Sequence, residues 1–137
     1  KFYHPELIID VATLTGACVV ALGHFFTGLF SNDQKISEAL LKIGNTVGDY
    51  VWPLPCSDRH ARGIESSVAD ISNTGASNFG GGAISAAMFL KRFVSQAKWV
   101  HLDIAGTETG LPVKSYLGKG ATGVGIRLLT KFIKEYF

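Results

Sequence analysis

Trp99-Val100-His101-Leu102-Asp103-Ile104-Ala105 is the stretch on which the fold turns. Val100, Leu102 and Ile104 alternate with Trp99, His101 and Asp103, the two-residue period of a strand. Neither set is a free solvent face, so this strand needs cover on both sides, as the interior strand of a layered sheet has. Just before it, Ala83, Ala86, Ala87, Leu90, Phe93 and Val94 fall on one face of a helix while Lys91 and Arg92 point elsewhere. An alanine-rich face of that kind packs closely on a sheet. Residues 6–14 (ELIIDVATL) form a second β-branched, apolar run that reads as a strand covered on both faces and leads into Thr15-Gly16.

Around these elements the remaining pattern is mixed. Residues 18–22 and 26–30 read as two short strands about Gly23-His24, and Ser31-Asn32-Asp33 supplies turn and helix-capping chemistry. Ile36, Leu40, Ile43 and Val47 recur at helical steps, with Gly44 or Gly48 as terminator. Residues 51–55 (VWPLP) are extended, because each proline disfavours helix in the residue before it. Residues 57–65 make a short helix or exposed loop, residues 66–82 are irregular, and residues 106–119 are loop. Leu128, Leu129, Phe132, Ile133 and Tyr136 define a last amphipathic helix. Strands alternating with helices predict an α/β layered sandwich with a mixed, largely parallel central sheet flanked by helices.

The chain's 137 residues suit one domain with a real core. Hydrophobic residues at 47%, charged residues at 18% and a mean hydropathy of +0.24 exclude intrinsic disorder. They also make the chain apolar for a free-standing monomer. A formal net charge of +2 without a long run of like charge excludes an electrostatic case for nucleic acid or an anionic membrane. Residues 11–32 are uncharged and long enough to span a bilayer, but Gly16, Gly23 and Gly28 with Thr13, Thr15, His24 and Thr27 break them into short runs. Glu6 and Asp10 fall where the apolar part of a signal peptide would lie. Cys18 and Cys56 form no CxxC pair, which fits reduced, partly buried thiols and a cytoplasmic setting.

Candidate chemistry is sparse by spacing alone. His4, His24, His60, His101, Cys18 and Cys56 include no HExxH or CxxC pair, so spacing gives zinc no support. No G-x-S-x-G elbow occurs, and a Cys56/His101 dyad would be arbitrary. Gly80-Gly81-Gly82 before a helix could hold an anion on backbone N–H groups or could be a tight turn, and it lacks the Lys-Ser/Thr of a P-loop. Gly120-Ala121-Thr122-Gly123-Val124-Gly125 resembles a dinucleotide fingerprint only superficially. Asp10 and Asp103 sit within apolar strands and Asp70 in the irregular segment. Each is either a metal or acid/base group or a hydrogen-bonded anchor that pins neighbouring loops. Thr13-Leu14-Thr15-Gly16 and Ala105-Gly106 lie at the C-terminal ends of strands, the edge where open α/β sheets bind ligands.

Taken in order, residues 10–17 (DVATLTGA), 67–73 (SVADISN), Gly81-Gly82 with Ala86-Ala87 and Phe89-Leu90, residues 99–106 (WVHLDIAG), and residues 118–123 (GKGATG) with Arg127 resemble the leucyl aminopeptidases, the M17 metallopeptidases. The resemblance covers essentially the whole chain. It implies a cytoplasmic homohexamer that hydrolyses N-terminal residues such as leucine from peptides, using two divalent metals, zinc or manganese. The family's metal ligands and catalytic pair, with their Asn-Thr-Asp-Ala-Glu-Gly-Arg motif, do not occur in this chain. It therefore matches the C-terminal part of the catalytic domain, and no catalytic or metal residue carries over.

What carries over is a substrate wall. Thr13, Leu14 and Gly16 match positions that line the pocket and offer backbone hydrogen bonds, Thr15 lies among them, and Ala105 matches a small residue at the pocket floor. Asn73 and Thr74 match a flanking segment, with one extra residue between Asp70 and Gly82. Glu108 stands where the resemblance gives an apolar pocket residue. Two other readings compete: a truncated, non-catalytic binding or assembly module, and a small anion- or nucleotide-binding domain built on Gly80-Gly81-Gly82.

Overall fold

The computed structural model describes residues 3–76, 78–109 and 119–137. The elements in chain order are β1 (Leu7–Ala12), α1 (Gly16–Leu22), β2 (Thr27–Ser31), α2 (Gln34–Val47), β3 (Val51–Pro53), α3 (Asp58–Ala61) with a 3₁₀ turn (Arg62–Ile64), α4 (Gly82–Lys91), β4 (Lys98–Asp103) and α5 (Ile126–Tyr136). The strands form one sheet in the order β1-β4-β2-β3. β1 runs parallel to β4 and β2 parallel to β3, while β2 and β4 are antiparallel. This is the mixed, largely parallel sheet expected. Every residue of β4 after Lys98 is buried, because the strand lies between β1 and β2 with helices on both sides.

The alternation in β4 sorts its side chains into two cores. Val100 and Leu102 join Leu29 and Val51 beneath Ile36, Leu40 and Ile43 of α2 and Leu128 and Phe132 of α5. On the other face Trp99 and Phe30 pack with Cys18 of α1 and with Ala83 and Ala87 of α4. The alanines bring α4 close to its neighbours, and a Cβ at Gly82 would stand 3.1 Å from that of Ala17. Asp33 caps α2 by accepting from the Ile36 N–H at 3.1 Å. At the other end, Gly48 closes α2 in the left-handed conformation (φ +72°). Gly44 stays inside the helix, and a side chain is excluded there because the Asp49 carbonyl would lie 2.6 Å from its Cβ.

Several expectations shift. Residues 18–22 are not a strand. They belong to α1, where the Thr15 side chain accepts from the Cys18 N–H and Gly23 ends the helix. Capping at Thr15 and packing on α4 outweigh the strand preference of Val19 and Val20. The strand expected over 26–30 is β2, displaced by one residue, and the strand expected over 6–14 is trimmed to β1. Phe93 does not share the buried face of α4. That helix ends at Lys91, leaving Phe93 exposed, and Ser85 and Met88 are buried beside Ala83 and Ala87. Within residues 57–65 the helical alternative holds. Residues 110–118 of the expected 106–119 loop lie outside the described residues. Among the described residues no helix is long and apolar enough to cross a membrane.

Candidate functional site

Parallel pairing of β1 with β4 puts Ala12 beside Asp103, so both strands end at the same edge of the sheet. There Asp103, fully buried, gathers the following loops around its carboxylate. Oδ1 accepts from the N–H groups of Leu14 (3.1 Å), Thr15 (3.4 Å) and Ala105 (3.2 Å). Oδ2 accepts from the Thr15 hydroxyl at 2.8 Å. That hydroxyl also accepts from the Cys18 N–H at 3.0 Å, so one side chain ties the start of α1 to the end of β4. The Cys18 thiol donates to the Asp103 carbonyl at 3.8 Å. Burial, followed by the neighbouring Asp103 charge, pushes this thiol up to about 11.

Thr13, Leu14, Thr15, Gly16 and Ala105 are thus brought to one edge, with Leu14, Thr15 and Ala105 joined at a single carboxylate. Thr13 and Gly16 are exposed, while Leu14, Thr15 and Ala105 are half-buried. Asp103 is the hydrogen-bonded anchor among the two readings of the strand carboxylates. Asp10, on the neighbouring strand β1, is likewise an anchor. It accepts from the Trp99 indole N–H at 2.7 Å and from His101 Nδ1 at 2.5 Å. Because a carboxylate only accepts, Nδ1 carries the proton and the buried Nε2 of His101 is left without a partner among the described residues. Asp70 is exposed in its loop.

After Asp103 the chain makes one helical turn. Ile104 O accepts from the N–H groups of Thr107 (2.9 Å) and Glu108 (3.0 Å). The turn is held from outside by Thr27, whose hydroxyl lies 2.8 Å from that of Thr107, and by Thr122, which donates to the Thr107 carbonyl at 2.6 Å. Gly106 turns toward α1. Its carbonyl accepts from His24 Nδ1 at 2.9 Å, and the Gly23 carbonyl occupies the space a Cβ at Gly106 would take. Glu108 is half-buried, and its Oε2 is fully buried with no hydrogen-bond partner among the described residues. The residue type alone marks Glu108 as a departure from the apolar residue that the resemblance gives there. Its unpaired oxygen has no sequence signal, because it depends on the turn's tertiary supports.

Asn73 and Thr74 are exposed on a separate loop. Ser72 holds that loop locally, donating its hydroxyl to the Thr74 carbonyl at 2.8 Å, and the Ala76 N–H reaches the Gly63 carbonyl at 2.8 Å. Gly75 packs against Ser85 of α4, so the loop and the wall flank the same helix, but no described hydrogen bond joins Asn73 or Thr74 to the wall. Gly80 and Gly81 both take left-handed φ values (+64° and +60°), the conformation of the tight-turn reading.

Among the described residues no three His, Cys, Asp or Glu side chains converge to hold a metal ion. The two strand carboxylates present are engaged by N–H, O–H and imidazole donors. The donor set of the described residues therefore does not fit the metal pair that the resemblance implies.

Residues 1–130 match the family model described as the cytosol aminopeptidase family, catalytic domain. A probable cytosol aminopeptidase of Geobacter sp. (strain M21) is 48% identical over 133 residues, covering 97% of this chain and 27% of that protein. One from Ehrlichia ruminantium (strain Gardel) is 45% identical, covering 100% of this chain and 28% of that protein. Among solved structures, a tomato leucine aminopeptidase mutant superposes with a TM-score of 0.85 at 37% identity, over 95% of this chain and 25% of that one. The chain spans about a quarter of the length of the relatives it matches. With the same layered sheet, this level of identity and a family match over nearly all its residues, the chain belongs to the cytosol aminopeptidase (M17) family, within its catalytic domain.

Proposed function

We propose that this chain supplies the substrate-pocket wall and part of the sheet core of an aminopeptidase that removes N-terminal residues, leucine among them, from peptides. The observation that carries the reading is the Asp103 carboxylate, which fixes Leu14, Thr15 and Ala105 at the C-terminal edge of adjacent parallel strands. Backbone there is held in place while Thr13 and Gly16 stay open to a ligand. Small side chains at Gly16 and Ala105 leave room for one. Asn73 and Thr74 would flank the bound peptide from the loop beside α4. The two divalent metals, zinc or manganese, would be held by residues outside this chain, and the parent protein would work as a cytoplasmic homohexamer.

The reading makes the chain necessary and insufficient. Alone, with added Mn²⁺ or Zn²⁺, the 137 residues are expected to leave leucyl-p-nitroanilide intact. Substituted for the matching quarter of the Geobacter relative, the chain is expected to support hydrolysis. Turnover by the isolated chain, or a folded chimera that binds its metals and hydrolyses no amino-acid anilide, would overturn it.

A further inference from the structure

We propose that Glu108 makes this pocket favour peptides whose N-terminal side chain carries a cation, the ammonium of lysine or the guanidinium of arginine. The inference rests on the substrate-wall reading and adds a side-chain preference to it. Its geometry begins at Asp103, whose Oδ1 binds the N–H groups of both Leu14 and Ala105 and so places Ala105 against the wall loop. In the helical turn closed by Ile104 O and the Glu108 N–H, residues three apart share a face, so Glu108 lies on the Ala105 side. Gly106 lies on the other side, against Gly23.

The chemistry of the wall singles out Glu108. Thr13, Leu14, Thr15, Gly16 and Ala105 are uncharged. Asp103 is charged, but its two oxygens already receive four donors and it is buried behind the loop. Glu108 differs on both counts: it is half-buried, and its Oε2 is shielded from solvent without a donor among the described residues. A carboxylate oxygen kept from water and left unpaired is costly, and a ligand that brings an N–H donor recovers that cost. An ammonium on a flexible stem or a guanidinium fork supplies such a donor together with the opposite charge. Leucine offers neither, so Glu108 moves the ranking away from the leucine that the resemblance implies.

The test uses the intact 137-residue chain, labelled with ¹⁵N and titrated with three probes. L-lysinamide carries both an α-ammonium and a side-chain ammonium, L-norleucinamide carries the α-ammonium alone, and 6-aminohexanamide carries the distal ammonium alone. Lysinamide is expected to shift the amides of Leu14, Ala105 and Glu108 with an affinity at least tenfold above that of norleucinamide, and 6-aminohexanamide to shift Glu108. Glu108→Gln, checked for an unchanged melt, is expected to lose the lysinamide advantage, so that lysinamide and norleucinamide bind it alike.

Equal affinity for lysinamide and norleucinamide would overturn the proposal while leaving the wall reading intact, and so would a Glu108→Gln chain that keeps the advantage. Failure of all three probes to shift the wall amides would overturn both.

Discussion

The hydroxyl of Thr15 lies 2.8 Å from Oδ2 of Asp103, 88 residues further along the chain, and accepts from the Cys18 N–H at 3.0 Å. One small side chain therefore does two jobs, capping α1 and bolting the wall loop to β4. Losing an N-cap costs about 0.5–2 kcal/mol, and a hydrogen bond to a charged group contributes about 1.5–3 kcal/mol. Thr15→Val keeps the shape and removes both, so it is expected to destabilise the chain by roughly 2–4 kcal/mol. Thr15→Ser retains the hydroxyl and should cost under about 1 kcal/mol. Urea unfolding of the two variants measures the difference. Equal midpoints would mean that the hydroxyl holds neither element.

How much of this is legible in the sequence depends on the range of the interaction. The two-faced burial of β4 can be read from seven residues, because strand periodicity is local and each face of Trp99–Ala105 is visibly unsuited to water. The edge bearing Thr13, Leu14, Thr15, Gly16 and Ala105 is legible because glycine, threonine and alanine cluster where strands end. The loss of residues 18–22 to α1 is not, since Val19 and Val20 carry strand preference and the packing of α1 on α4 that outweighs it is remote in sequence. Thr15 followed by small residues is in fact a capping signal, masked by the valines. The unpaired oxygen of Glu108 lies beyond any local pattern, because the turn that carries it is held at Thr107 by the distant Thr27 and Thr122.

Gly28 offers a sharper test of packing between β2 and α1. A Cβ there would sit 2.7 Å from Cys18 Sγ and 3.4 Å from both Asp103 Cβ and Phe30 Cε2. The sulfur cannot swing away freely, for Cys18 is only 1% exposed and its N–H is tied to Thr15. Gly28→Ala is expected to cost about 1–3 kcal/mol by overpacking. In a Cys18→Ala background the obstruction is gone, so the double variant should be more stable than the sum of the single effects by at least about 1 kcal/mol. Chemical denaturation of the four proteins completes the cycle. Strict additivity would show that the thiol is not what excludes a side chain at Gly28.

The same thiol should give the fold an alkaline limit. Burial is the main cause that raises Cys18 from its ordinary 9.0 to about 11, with the Asp103 charge adding to it. In the unfolded chain the thiol loses its proton near its ordinary value, while the native chain holds it until about 11. Between those values the native state binds more protons than the unfolded state, so the slope of stability with pH is negative. This contribution is fully present below pH 9 and is lost as pH rises through about 11. The half-buried Cys56 is itself raised by burial, and the chain's other ionisable groups accompany it. They are common to the wild-type chain and Cys18→Ala, so the comparison between the two isolates Cys18. The stability advantage of the wild type over Cys18→Ala, measured by urea unfolding at successive pH values, is expected to be level up to about pH 8.5 and to shrink above it. An advantage that stays constant into the alkaline range would mean that Cys18 ionises in the native chain as it does in the unfolded one.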